Sequence, residues 1–154
     1  MTLTRARRVL QRAIPLAFAV ATLTACDDDP FSPYWDRGTY YLAYANGRAV
    51  PAIVSGSTGP GQSRVEVTGG TLTLRRDHSY SLLVQVREWS GAQFYESTKV
   101  FAGTYDNDDR TIWLNYFQPH DYYSSVMVAN WRNGRIDVVV PNLDGGVEVL
   151  CMFE

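Results

Sequence analysis

The sequence predicts an all-β domain, an antiparallel up-and-down meander of roughly eight strands closing into a barrel, with a β-sandwich as the alternative. Three observations predict it. From about Arg37 onward apolar and polar residues alternate with period two in run after run. Asn46-Gly47 and Asn133-Gly134 each stand between two such runs. No segment beyond residue 25 carries a convincing helical period. Asn-Gly is a strong hairpin signal because a type I′ turn needs positive φ at both central residues. An all-β meander must also dispose of its edges, and closure into a barrel removes them.

Ahead of the strands, Arg5, Arg7, Arg8 and Arg12 precede a short apolar run, and no acid occurs before Asp27. A membrane-spanning helix needs roughly 20 apolar residues to cross about 30 Å of hydrocarbon. The run "AIPLAFAVATLTA" is too short for that. It ends in the small residues Thr22, Thr24 and Ala25, which suit a peptidase pocket. Residues 1–25 therefore read as a signal peptide that is removed.

Leu23-Thr24-Ala25-Cys26 resembles the lipobox of bacterial lipoproteins, in which the cysteine is acylated and becomes the first residue of the mature chain. The resemblance implies that Cys26 is the lipidation site, carrying palmitate-type chains, and that the domain is held outside the cytoplasm at the cell envelope. The other readings are cleavage after Ala25 with an ordinary thiol at Cys26, or an organellar transit peptide. Each buried methylene contributes about 0.8 kcal/mol, so more than one acyl chain makes release negligible. Asp27, directly after the cysteine, resembles the inner-membrane retention signal of enteric lipoproteins, a rule other bacterial groups do not follow. Both the inner and the outer membrane stay open.

Residues 26–35 are the lipidated cysteine and tether, in which Asp27, Asp28, Asp29, Pro30, Ser32 and Pro33 resist helix and strand alike. Residues 36–154 form the barrel domain. Strand segments fall near 38–45, 48–54, 62–68, 70–76, 79–87, 93–103, 110–117, 122–131, 135–140 and 146–153, with two merging or dropping out to leave eight or nine. "GTLTLRRDHSYSLLVQV" is a hairpin: Leu72 and Leu74 alternate with threonines, a four-residue polar turn follows, and Tyr80, Leu82, Val84 and Val86 share a face. "GTYDNDDRTIWLNY" places Ile112, Leu114 and Tyr116 on one face after an acidic tip. "SGSTGPGQS", residues 55–63, is the longest connection. In "VEVLCMFE", Cys151 shares a face with Val149 and Phe153, so it is expected to point inward as a small hydrophobe.

"DRGTYYLAYANGRAVPA", "GGTLTLRRDHSYSL" and "GTYDNDDRTIWL" together resemble the small lipocalin-like β-barrel lipoproteins of bacteria, over most of residues 36–153. Gly38-Thr39-Tyr40 stands where true lipocalins carry Gly-X-Trp. The resemblance implies a barrel with an inner ligand cavity.

Composition narrows the task. The chain has 14 Lys+Arg against 16 Asp+Glu, and four of those arginines leave with residues 1–25, so the mature body carries 10 against 16, or −6. Phosphate backbones call for clustered positive charge, so nucleic acid is not an expected partner. The remaining 129 residues suffice for one domain, expected to be monomeric. No nucleophile elbow, His-Glu-X-X-His or phosphate-cradling loop occurs, so no catalytic residue is assigned. His78 and His120 each neighbour an aspartate, as turn residues do. Asp106-Asn107-Asp108-Asp109 lacks the glycine and glutamate of a calcium loop, so it reads as a charged hairpin tip with no metal, and no cofactor is expected.

Four Trp, ten Tyr and six Phe, of which only Phe18 lies in the leader, point to a small apolar or aromatic ligand as the function. The candidate ligand-binding residues are Tyr80 and Tyr116 on inward faces, and Phe117, His120, Tyr122 and Tyr123 in the aromatic connection after them. A fully packed barrel working as a protein-interaction module, an inhibitor or assembly accessory, is the alternative, and a hydrolase with a non-standard site is the third.

Overall fold

The computed structural model describes residues 37–59, 61–117, 124–144 and 147–154. The leader, Cys26 and the tether lie outside them, as do His120, Tyr122 and Tyr123. Among the described residues there are ten strands: β1 (Gly38–Ala45), β2 (Arg48–Ala49), β3 (Ala52–Gly56), β4 (Arg64–Leu74), β5 (Ser79–Ser90), β6 (Gln93–Asp108), β7 (Thr111–Phe117), β8 (Ser124–Arg132), β9 (Arg135–Asp144) and β10 (Val147–Phe153). No helix among them is long and apolar enough to cross a membrane.

All pairings are antiparallel, and the sheet closes on itself because β1 pairs with both β10 and β4. Eight strands, β1 and β4–β10, thus form an up-and-down barrel, and β2 and β3 are the two extra strands. The expected all-β meander and its closure are both observed. The closing seam is short, from Gly38↔Leu74 to Tyr41↔Thr71, and Thr39 Oγ1 lies 3.1 Å from Thr73 Oγ1 across it. Beyond Tyr41 the two strands diverge. There β2 pairs with β1, and β3 pairs with the first half of β4.

Besides ends displaced by a few residues, as in β5 and β9, the expected segments differ from the observed strands in three places. Segments 62–68 and 70–76 are one strand, β4, with its register shifted between Val67 and Gly69. A bulge of this kind accommodates one extra residue without ending the strand, and Thr68 supplies it. Segment 48–54 is split at Val50-Pro51, where proline has no N–H to give to a ladder. Asp106, Asn107 and Asp108 belong to β6, opposite Trp113, Ile112 and Thr111, so the charged tip shrinks to Asp109 and Arg110.

Both Asn-Gly turns take the expected left-handed backbone: Asn46 and Gly47 have φ 48° and 75°, Asn133 and Gly134 have 52° and 80°. One end of the barrel is closed by tight turns at 75–78, 109–110 and 133–134, and β1 begins there. At the other end lie the turns at 46–47 and 91–92, and β7 and β9 finish there.

Alternation then fills the interior. Leu72, Leu82, Val84, Ile112, Leu114, Ile136 and Phe153 are fully buried, each contributing about 1.5–3 kcal/mol over an exposed position. Cys151 is buried among them, as its phase in β10 requires. The apolar faces turn inward, opposite to a bilayer-spanning barrel with its polar lumen.

Candidate functional site

The site grows out of β6, the longest strand. Its first part, Gln93–Thr104, pairs with β5, and from Gly103 onward it pairs with β7. Gly103 is where the strand changes partners. A Cβ there would run into the carbonyl oxygen of Asn115, so only glycine lets β7 come this close. Upstream of it, Gln93–Ala102 has a partner strand on one edge only among the described residues.

The inward face of that stretch is set by register. Phe101 stands opposite Leu82, Lys99 opposite Val84 and Ser97 opposite Val86, three partners that are themselves buried. Beside this face lies a cleft of about 250 Å³ lined by Lys99, Val100, Phe101, Ala102, Tyr116, Phe117 and Asn142. Phe101 and Tyr116 meet edge to face, with ring centroids 5.4 Å apart at 89°, the arrangement favoured by the aromatic quadrupole. Asn142 reaches the cleft from β9, where its left-handed backbone (φ 55°) breaks the alternation between buried Val140 and buried Leu143.

Polar groups of the inward face are short of partners. The Tyr80 hydroxyl and the Ser97 Oγ are buried and have no hydrogen-bond partner among the described residues. Burial, followed by the proximity of Tyr116, pushes the Tyr80 hydroxyl above its ordinary pKa. Lys99 is half-buried, and no described carboxylate lies within ion-pair distance of it. Orphaned buried polar atoms cost about 1–3 kcal/mol each, so two of them on the inward side, with a half-buried lysine near by, mark a region whose polar groups the barrel itself does not satisfy.

The candidate residues divide accordingly. Tyr80 is 1% exposed and Tyr116 6%, both on the inward side, with Tyr116 on the cleft wall and Tyr80 one strand removed from it, across Gly103. Phe117 is 67% exposed and forms the outer lip. Sequence reasoning missed Lys99, Phe101 and Asn142. The signal for the first two was available: they alternate along β6 in phase with Tyr105, which is buried.

A larger depression of about 420 Å³ lies along β4–β6, lined by Arg87, Glu96 and also by Ser97, which is therefore not part of the cleft. Its charges are already matched. Arg87 donates to Glu96 Oε1 through Nε at 2.9 Å and a terminal nitrogen at 2.7 Å, and a second terminal nitrogen lies 3.5 Å from Glu66. Arg64 sits 4.2 Å over the Trp89 ring, and Trp89 packs on Phe94 at 4.9 Å. This is a cross-strand clasp on a projecting hairpin.

At the closed end His78 belongs to a turn. Its ring stacks on Tyr105 at 5.4 Å, its Nδ1 lies 3.3 Å from the Tyr105 carbonyl, and the Tyr105 hydroxyl donates to Arg75 O at 3.0 Å. Asp77 accepts from Ser79 Oγ at 2.6 Å and Ser79 N at 3.0 Å, which holds its carboxyl below the ordinary value. Among the described residues no group of three or more His, Cys, Asp and Glu side chains is placed to hold a metal.

No protein-family model matches the chain, and neither a curated protein nor a solved structure does.

Proposed function

We propose that the protein is a lipid-anchored, non-enzymatic component of the bacterial cell envelope whose barrel binds a small apolar or aromatic molecule in the cleft beside β6. The observation that carries the ligand is the cleft itself: aromatic walls from Phe101, Tyr116 and Phe117, next to inward polar groups with no described partner. Recognition sites commonly pair apolar walls with a few orienting polar groups. At about 250 Å³ the cleft lies just under the roughly 300 Å³ of drug-sized pockets, so the ligand is small, of about one fused ring system. The address is supported by Leu23-Thr24-Ala25-Cys26 behind its basic and apolar regions.

Two measurements test this. Cells fed an alkyne fatty acid should label the wild-type protein and leave a Cys26→Ala variant unlabelled; label on the variant would refute the anchor. Native mass spectrometry of the protein released from membranes should show a reproducible added mass that vanishes on denaturation. A bare mass would count against a resident ligand.

One observation favours a second reading, a protein-interaction module. The single-sided edge of β6 and the exposed Phe94, Tyr95 and Val100 suit addition of a partner strand. Against it stands Lys99, since an inward-pointing charge on an edge strand is a device that blocks strand addition. The ligand reading is therefore preferred.

A further inference from the structure

Resting on the ligand-binding reading above, we propose that the cleft beside β6 selects small apolar carboxylates, with the Lys99 ammonium receiving the carboxylate and Phe101, Tyr116 and Phe117 packing the apolar body. Register places Lys99 on the same face as Phe101, and both line the cleft. The lysine is half-buried beside Val84, which is fully buried, so part of its hydration is already lost. No described carboxylate compensates it.

The charge decides the ligand class. A neutral molecule sealing the cleft would strip more water from the ammonium and return nothing, which is costly for an ion. A carboxylate there returns a charge-assisted hydrogen bond, roughly twice as strong as a neutral one. The body as a whole is acidic, so it does not draw anions from afar. Selection is local, acting inside the screening length of about 8 Å at physiological salt.

The test is calorimetric titration of the full chain in nanodiscs, with empty-nanodisc titrations subtracted, using 2-naphthoate and its neutral counterpart 2-naphthamide. Wild type should bind the naphthoate about tenfold or more tightly than the amide. Lys99→Gln should bring the ratio close to one, weakening the naphthoate and not the amide, and Lys99→Arg should keep the preference. Phe101→Ala should weaken both probes. A ratio unaltered in Lys99→Gln, or an amide bound as tightly as the acid by wild type, overturns the carboxylate assignment and leaves the ligand reading standing. Failure of wild type to bind either probe overturns both. Matching thermal melts for wild type and Lys99→Gln make a folding defect distinguishable from lost recognition.

Discussion

Tyr80 and Tyr116 face the barrel interior from opposite sides of one residue, Gly103, which pairs with Tyr80 on β5 and with Tyr116 on β7. Two large side chains share an inward layer because the position between them has no side chain. The same glycine lets Asn115 approach the backbone of β6.

Gly103→Ala should therefore destabilise the barrel by about 1–3 kcal/mol, the usual range for forcing atoms into a packed site. The obstacle is a backbone carbonyl, which cannot rotate aside as a side chain would. Urea unfolding followed by tryptophan fluorescence measures it; an unchanged midpoint would mean that β6 and β7 are further apart than described.

Tyr80→Phe should leave stability unchanged or raise it by about 1 kcal/mol, since the hydroxyl removed is buried without a described partner. Loss of stability in thermal melts of the unliganded protein would show that the hydroxyl is satisfied. Binding of the 2-naphthoate probe provides the second readout, because a hydroxyl kept for an acceptor matters only when the acceptor is present.

Cys151 predicts an alkaline limit. Burial pushes its thiol from an ordinary 9.0 up to about 12. A group whose folded pKa is raised contributes stability in full below its unfolded value and loses it as pH rises through the folded one. Stability should accordingly decline from about pH 9 towards pH 12, with a shallower decline in Cys151→Ala. Tyr80, raised for the same reason, adds to the slope in both proteins. Urea titrations at half-unit steps of pH compare the two slopes, and equal slopes would place the thiol in contact with water.

Lys99→Val should make the protein associate. The substitution removes the inward charge from a strand whose other edge is unpaired among the described residues, and a β-branched residue suits pairing there. Size-exclusion chromatography with light scattering should show a concentration-dependent shift that wild type lacks. A variant that stays monomeric would mean that the edge is protected by something other than the lysine.

Much of the fold was legible because a half-buried strand writes its face into the sequence with period two. Tyr80, Ile112, Leu114, Tyr116 and Cys151 are all expected inward and all lie there. The two Asn-Gly turns were legible for a separate reason, the left-handed backbone that few residues tolerate. What escaped is what alternation cannot encode. A bulge at Thr68 keeps both flanking runs in pattern while joining two apparent strands into one. The change of partner at Gly103 depends on two strands far apart in the chain. The cleft escaped for that reason as well, since Phe101, Tyr116 and Asn142 come from three strands. Lys99 was passed over because a lysine in a strand reads as solvent-facing until its phase is compared with that of its neighbours.

The two ends of the domain are hydrogen-bonded to each other: Tyr41 N donates to Glu154 O at 2.8 Å and Glu154 N to Tyr41 O at 2.9 Å, within the pairing of β1 and β10. The first strand made must wait for the last. In a chain that emerges amino terminus first, the ring stays open until Phe153 has emerged. Because those ends adjoin, a short linker between them would let the chain be reopened at another hairpin, and the order of emergence could then be varied without altering the ring.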